Sequence, residues 1–326
     1  MGYCSIAGQC FSIPSARLTE KNCPDQTGRV FLVTGGYAGV GFELCKILYM
    51  HNATVCVAGR SESKAQKAVA EIRDAYPTSS GHISYLILDL SDLSTIKPAA
   101  ESFVAQQPRL DVLVNNAGVM VPPEGSVDAQ GNELQLGTNC LGSYLLYQLL
   151  FPLLSKTASD ASSPTGSVRV LWAGSLAVAL GSQTRPGIVI DADGGPVDQH
   201  APWSNYAQSK VGNVFLAREN AKTTPETGVV HAAFNPGNLR TELQRHSTGI
   251  GHELANKLFL YPAIFGAYTE LWAALAPELT PDKSGSYVYP WGRFGDLPGG
   301  IEDSIVKTGV AAKFVEWCGG QTRPFL

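Results

Sequence analysis

Thr34-Gly35-Gly36-Tyr37-Ala38-Gly39-Val40-Gly41 is the stretch whose reading decides the fold, because of what flanks it. Before it, Arg29-Val30-Phe31-Leu32-Val33 is a short apolar run, β-branched at two positions, which reads as a buried parallel strand. After it, Phe42 to Met50 is rich in helix formers and holds neither Gly nor Pro. Glycines between a strand and a helix let the main chain turn tightly and approach a diphosphate. The helix N-terminus then offers free N–H groups and a partial positive charge to that anion. A glycine pattern alone is weak, since turns use glycine for purely conformational reasons. Here the strand and the helix carry the reading.

From Arg29 onward, strand-like and helical stretches alternate, which argues for a parallel sheet covered on both faces. Strands are expected near 29–34, 53–58, 83–88, 110–115, 167–174, 229–235 and 286–290. Helices are expected near 40–50, 61–75, 92–106, 131–155, 204–222 and 252–276. Right-handed crossovers with a switch between strands one and four give an α/β doubly wound sheet. Its expected order, over about seven strands, is 3-2-1-4-5-6-7. The ligand crevice then opens at the C-terminal strand ends, where Gly35, Asn116, Ser175 and Pro236 fall. Residues 1–27, with Pro14 and Pro24 and no clear period, are expected to be an N-terminal extension lying over the surface. Residues 28–326 are expected to form a single Rossmann-type catalytic domain.

A second motif lies downstream, Tyr206-Ala207-Gln208-Ser209-Lys210. If Ser204 caps a helix, Tyr206 and Lys210 share one face. A phenol with a pKa of about 10 is a poor acid or base at neutral pH. A neighbouring ammonium favours the phenolate and moves that pKa toward the working range for proton transfer. Taken alone, the pair reads better as a surface Tyr–Lys contact on an amphipathic helix, because such pairs are common.

Together the two motifs resemble the short-chain dehydrogenase/reductase family, in particular its retinol-dehydrogenase-like, NADP-type members. Further segments match in order. Leu110 to Gly118, ending in Asn115-Asn116-Ala117-Gly118, looks like the family's strand-four signature. Asp89-Leu90, closing the run Ile83 to Leu88, sits where the family places a carboxylate facing the adenine amino group. Asn139 in Gly137-Thr138-Asn139 and Ser175 at the end of the strand Ser167 to Gly174 match the catalytic asparagine and serine. Pro236-Gly237, followed by Thr241, matches the segment flanking the nicotinamide. The resemblance runs from about Gly28 to Gly292. It implies cofactor contacts at Gly35, Gly39, Val40, Gly41, Asp89, Leu90, Asn116, Ala117, Gly118, Pro236, Gly237 and Thr241, besides Tyr206 and Lys210. It also implies a catalytic set of Asn139, Ser175, Tyr206 and Lys210. In that set Tyr206 moves the proton and Ser175 holds the reacting oxygen. Lys210 lowers the tyrosine pKa and bonds the nicotinamide ribose, and Asn139 positions a water that relays protons through Lys210.

The end of strand two selects the cofactor. NAD-preferring enzymes carry an acid there, accepting from the ribose hydroxyls. Here Ala53 to Ala58 is followed by Gly59-Arg60-Ser61. A glycine makes room for a 2′-phosphate, and a guanidinium can hold it with two parallel bonds. Lys64, one turn on, adds a second positive charge. The expected cofactor is therefore NADP(H). Tyr37 and Ala38 replace the small hydroxyl residues common in the family and add nothing to this assignment.

Composition narrows the partners. A net charge of −4 and a pI near 5.9 argue against a nucleic-acid binder, which needs a basic face. A hydrophobic content of 44% and a charged content of 16% describe a well-buried globular chain. The seven cysteines form no C-x-x-C pair and no metal spacing, and the six histidines are scattered, so no metal is expected. An odd cysteine count without a framework suggests a reducing, cytoplasmic setting. The most apolar window, Leu258 to Ala276, is broken by Pro262 and Glu270 and reads as a buried or lid helix pair, not a membrane span.

The expected function is NADP(H)-dependent interconversion of a carbonyl and an alcohol on a small apolar molecule. Two long segments, 176–203 and 243–282, leave the catalytic edge and are expected to form the substrate wall. The apolar run from Leu258 to Phe265 serves equally as a face between identical subunits. Rival readings are a non-redox enzyme on the same scaffold (epimerase, dehydratase or cyclase) and a non-catalytic NADPH-binding protein.

Overall fold

Four strands are buried at every position: β1 (Val30–Thr34), β4 (Val112–Asn115), β5 (Arg169–Ala173) and β6 (Val230–Phe234). Burial on both faces is why they are nearly continuous apolar runs and not alternating ones. In this computed structural model, which describes residues 6–10, 13–180, 187–240 and 260–326, they form the middle of one sheet. The remaining strands are β2 (Thr54–Gly59), β3 (His82–Ile87), β7 (Ser286–Tyr289) and β8 (Arg293–Gly295). The order is β3-β2-β1-β4-β5-β6-β7-β8. All pairs are parallel except β7 with β8. The expected order therefore holds, with a short antiparallel edge strand added.

β1 has β2 on one side and β4 on the other, so successive crossovers leave in opposite directions and open a crevice beyond Thr34 and Asn115. Asp111 fixes this switch from below. It is buried, accepts from the Val30 backbone N–H at 2.8 Å, and is gripped by Arg109 through Nε at 2.9 Å and Nη2 at 2.7 Å.

The helices are α1 (Ile6–Cys10), α2 (Gly39–Met50), α3 (Glu62–Ala75), α4 (Ile96–Gln106) and α5 (Leu134–Leu136). A π-helical turn, Gly137–Gly142, leads from α5 into α6 (Ser143–Ala158). Then come α7 (Ala177–Leu180), α8 (Pro202–Thr223), α9 (Ala263–Leu275), α10 (Gly299–Val306) and α11 (Val310–Thr322). One face of the sheet sends Leu32, Leu113 and Trp172 into a layer with Leu145, Phe215 and Phe314. The other sends Phe31, Val114 and Leu171 against Leu44, Leu271 and Trp272.

Of the two alternatives for the apolar window near α9, buried or lid, the structure shows the buried one. α9 is a core helix lying on α2, behind the glycine turn, and not a lid. Gly266 lets it come close, since a side chain there would run into Leu239 and Val40. Arg169, buried beneath it, donates to the carbonyls of Ala273, Ala276 and Leu279, the last two beyond the helix C-terminus, where acceptors lack internal partners. The described part of the 176–203 segment packs along α8 and onto α11. Val189 N–H donates to Gln208 Oε1 at 2.9 Å, and Gly194 and Gly195 abut Lys313 and Trp317. Residues 181–186, Thr241 and 243–259 lie outside the described residues.

Candidate active site

The glycine turn is held from both sides. Gly35 N–H donates to the Ala58 carbonyl at 2.7 Å, and Asn116 Nδ2 donates to the Thr34 carbonyl at 2.8 Å. The Thr34 hydroxyl accepts from Ala117 N–H at 2.9 Å. Gly35 and Gly39 have φ of 67° and 56°, a region where a side chain is strained. At Gly41 a Cβ would lie 2.9 Å from the Gly35 carbonyl oxygen, so only glycine permits this closure. Ala38 provides no side-chain cap to α2. The first-turn N–H groups of that helix thus have no side-chain cap.

A cavity of about 550 Å³ follows the turn. One end is lined by Tyr37, Gly59, Arg60, Ser61 and Lys64, the middle by Asp89 and Leu90, the other end by Asn116 to Met120. The expected cofactor residues Gly35, Gly39 and Val40 also line it. Ser61 caps α3 by accepting from Lys64 N–H at 3.5 Å. Asp89 is partly committed, its Oδ1 accepting from Ser91 N–H at 2.9 Å and from Ser91 Oγ at 2.6 Å.

Gly59 differs from its sequence reading. The space beside it is taken by the ring of Tyr37, which a Cβ at 59 would meet directly. The strand-end glycine accommodates a neighbouring aromatic ring, and Tyr37, which the sequence reading set aside, is a wall of this pocket. A bulky residue in the glycine turn beside a side-chain-free strand end was the only signal for it.

The four expected catalytic residues converge behind Gly118, beside the cavity and not among its lining residues. Tyr206 and Lys210 lie one turn apart on α8, both buried, with Lys210 Nζ 5.7 Å from the centre of the tyrosine ring. Ser175, just beyond β5, hydrogen-bonds the Tyr206 side chain. The Asn139 side chain is fully enclosed: Oδ1 accepts from Val119 N–H at 2.8 Å, and Nδ2 donates to the Val119 carbonyl at 3.1 Å and to Ser209 Oγ at 2.9 Å. A Cβ at Gly118 would lie 2.9 Å from Asn139 Oδ1 and 3.2 Å from Lys210 Nζ, so this glycine lets the two approach. Asn139 stands within the π-helical turn, a local widening frequent at functional sites.

The electrostatics differ from expectation. Burial raises the Tyr206 pKa, and the Ser175 hydrogen bond lowers it only in part. Burial also pushes Lys210 down to about 8, with its ammonium donating to the Ala173 carbonyl at 3.1 Å. Spacing alone counts a charge beside a phenol; the enclosed site charges both groups for lost water, and that cost prevails.

A strained link was not visible in the sequence. Val121, β-branched, has φ of 47°. Its N–H donates to Gln135 Oε1 at 2.8 Å, while Gln135 Nε2 donates to the Pro202 carbonyl at 2.9 Å, at the start of α8. The loop after β4 is thereby tied to the tyrosine helix. Pro236-Gly237 follows β6, with Gly237 at φ 97°.

Comparison with known proteins shows the family. Residues 29–168 match the family described as short chain dehydrogenase. A short-chain dehydrogenase/reductase of Phomopsis amygdali is 43% identical over 94% of this chain and 93% of its own. Among solved structures, an uncharacterised protein of Mycobacterium paratuberculosis is 27% identical, with a TM-score of 0.67 over 94% of this chain and 97% of that one. Pseudomonas aeruginosa RhlG, solved in an active-site complex with NADP, shares the fold at 22% identity, with a TM-score of 0.62 over 81% of this chain and 95% of its own. The chain belongs to the short-chain dehydrogenase/reductase family of oxidoreductases, which use a nicotinamide cofactor.

Proposed function

We propose that this protein is an NADP(H)-dependent oxidoreductase that interconverts a carbonyl and an alcohol on a small, apolar substrate. The juxtaposition of Tyr206, Ser175 and Lys210 beside the inner end of the glycine-turn cavity carries this reading. The cavity suits a dinucleotide in size, in its uncapped helix N-terminus and in its Arg60–Lys64 end. When bound, the nicotinamide gives or takes the hydride. Arg60 and Lys64 would hold the 2′-phosphate, α2 the diphosphate, and Lys210 the ribose.

In the reductive direction the Tyr206 hydroxyl gives its proton to the carbonyl oxygen, and Ser175 holds that oxygen at the phenol. Burial raises the Tyr206 pKa, so the phenol holds its proton at neutral pH, and the Lys210 ammonium, 5.7 Å from the ring centre, favours the phenolate as that proton leaves. With its side chain occupied, Asn139 acts through the loosened main chain of the π turn, leading water toward Lys210. Trp203, 49% exposed with its ring 5.6 Å from that of Tyr206, and Leu180, 47% exposed, favour an apolar substrate. Among the described residues no helix is long and apolar enough to cross a membrane. The six described cysteines are unpaired and buried, which suits a cytoplasmic setting.

The test is Tyr206→Phe, assayed by nicotinamide absorbance over a panel of carbonyls and alcohols. Turnover should vanish while NADPH still binds. A variant keeping more than about a tenth of kcat, roughly 1.4 kcal/mol of barrier, ends the proposal.

A further inference from the structure

The segment preceding β1 reaches the opposite end of the fold from its own strand. α1 places Gln9, 1% exposed, against Asn235, which is fully buried at the end of β6. Gln9 Oε1 accepts from Asn235 Nδ2 at 2.8 Å. The other end of the same amide, Asn235 Oδ1, accepts from Gly237 N–H at 3.0 Å and so closes the turn through Pro236. Three more contacts seat the segment. Asn238 Nδ2 donates to Cys10 Sγ at 3.2 Å, Arg293 Nη2 to the Gly8 carbonyl at 2.6 Å, and the Tyr261 hydroxyl to the Cys10 carbonyl at 3.5 Å. The anchors come from the β6 turn, from β8 and from the approach to α9.

An Asn amide is nearly symmetric in shape, so a buried one takes its orientation from its partners. Asn235 must present oxygen, not NH₂, to Gly237. If it turned over, two donors would face each other and the turn would lose its closing bond. The Gly237 N–H sets that orientation, and Gln9 offers an acceptor on the far side that satisfies the Asn235 NH₂ within it.

We propose that Gln9 is a positioning residue for the Asn235–Asn238 turn, which β7 ties to Ser175 (Asn235 N–H donates to the Val288 carbonyl at 2.8 Å and the Tyr287 hydroxyl to the Ser175 carbonyl at 3.1 Å), and that residues 6–10 are a working part of the nicotinamide end of the site. This rests on the nicotinamide-cofactor reading above. Gln9 touches neither cofactor nor substrate; it acts through Asn235. Loss of its acceptor should loosen the nicotinamide end and leave the adenosine end untouched.

Gln9→Met keeps much of the volume and removes the acceptor; Gln9→Glu keeps the acceptor. Each is compared with wild type for binding of NADPH and of 2′,5′-ADP, which carries the adenosine end alone, and for kcat and KM. Gln9→Met should weaken NADPH binding about tenfold and lower kcat, with 2′,5′-ADP binding unchanged, and Gln9→Glu should restore NADPH binding at least in part. A fall in melting temperature with the ratio of the two affinities unmoved makes Gln9 a structural residue only and overturns the proposal. Equal behaviour of Met and Glu variants overturns the orientation argument. A wild type that binds neither ligand overturns the cofactor reading itself, and this inference with it.

Discussion

Replacing Gly59 by alanine adds one methyl group where the Tyr37 ring already lies. The new carbon would overlap Tyr37 Cε1 and sit 2.9 Å from Cδ1 and 3.0 Å from Cζ. Carbon atoms in ordinary contact stand about 3.5–4.0 Å apart, so the ring must leave its place on β2. Forcing an extra methyl into a filled site costs about 1–3 kcal/mol. Tyr37 shares its end of the cavity with Arg60, Ser61 and Lys64, so the displaced ring moves at the expense of the cofactor. NADPH affinity should fall by roughly 5- to 150-fold, the same range of free energy read as a ratio. In a Tyr37→Ala background the methyl meets no ring, and Gly59→Ala should then cost nothing further. Calorimetric titration of the four proteins with NADPH gives the coupling directly, with thermal melts to separate binding from folding. An equal loss with and without Tyr37 would mean that the methyl collides with the bound cofactor itself. An unchanged affinity in the single variant would mean that the ring is not held where it stands. Either result refutes the account of Gly59.

Arg60→Ala should weaken NADPH at least about tenfold and NADH little, because one charge-assisted bond is worth about 1.5–3 kcal/mol and only NADPH has a 2′-phosphate to receive it; equal losses would remove Arg60 from cofactor choice. Lys210 is held at about 8 where the free amine ionises at 10.5, so its stabilising share is present above pH 10.5 and lost as pH falls through 8. At about 1.36 kcal/mol per pH unit the buried ammonium costs roughly 3 kcal/mol at pH 7. Lys210→Met should therefore melt higher than wild type at pH 7, with the gain gone near pH 10.5 and turnover lost throughout; a lower melting temperature at pH 7 contradicts this. Glu270 is fully buried on α9 with both carboxyl oxygens unpartnered, and burial raises its pKa well above 4.5. Its stabilising share is full below pH 4.5 and drains as pH rises, so the advantage of Glu270→Gln in urea unfolding should grow from pH 4.5 to 8; a constant gap would disprove it.

What the sequence made legible is what depends on neighbours along the chain. β1, β4, β5 and β6 were readable because strands buried on both faces are nearly continuous apolar runs. The glycine turn was readable because only glycine tolerates φ of 67° and 56° between a strand and a helix. Tyr206 and Lys210 were readable because helical spacing alone puts them on one face. The rest depends on contacts made across the fold. An apolar helix such as α9 has the same pattern whether it lies on α2 or closes over a substrate, and Gly266 decides between them only once Val40 and Leu239 are known to face it. Gln9 and Asn235 are 226 positions apart, and no local pattern marks either. The sign at Tyr206 was missed for a related reason. A lysine four residues on is visible in the sequence, but the enclosure that raises the phenol and lowers the ammonium is built by the packed sheet, α8 and the π turn together.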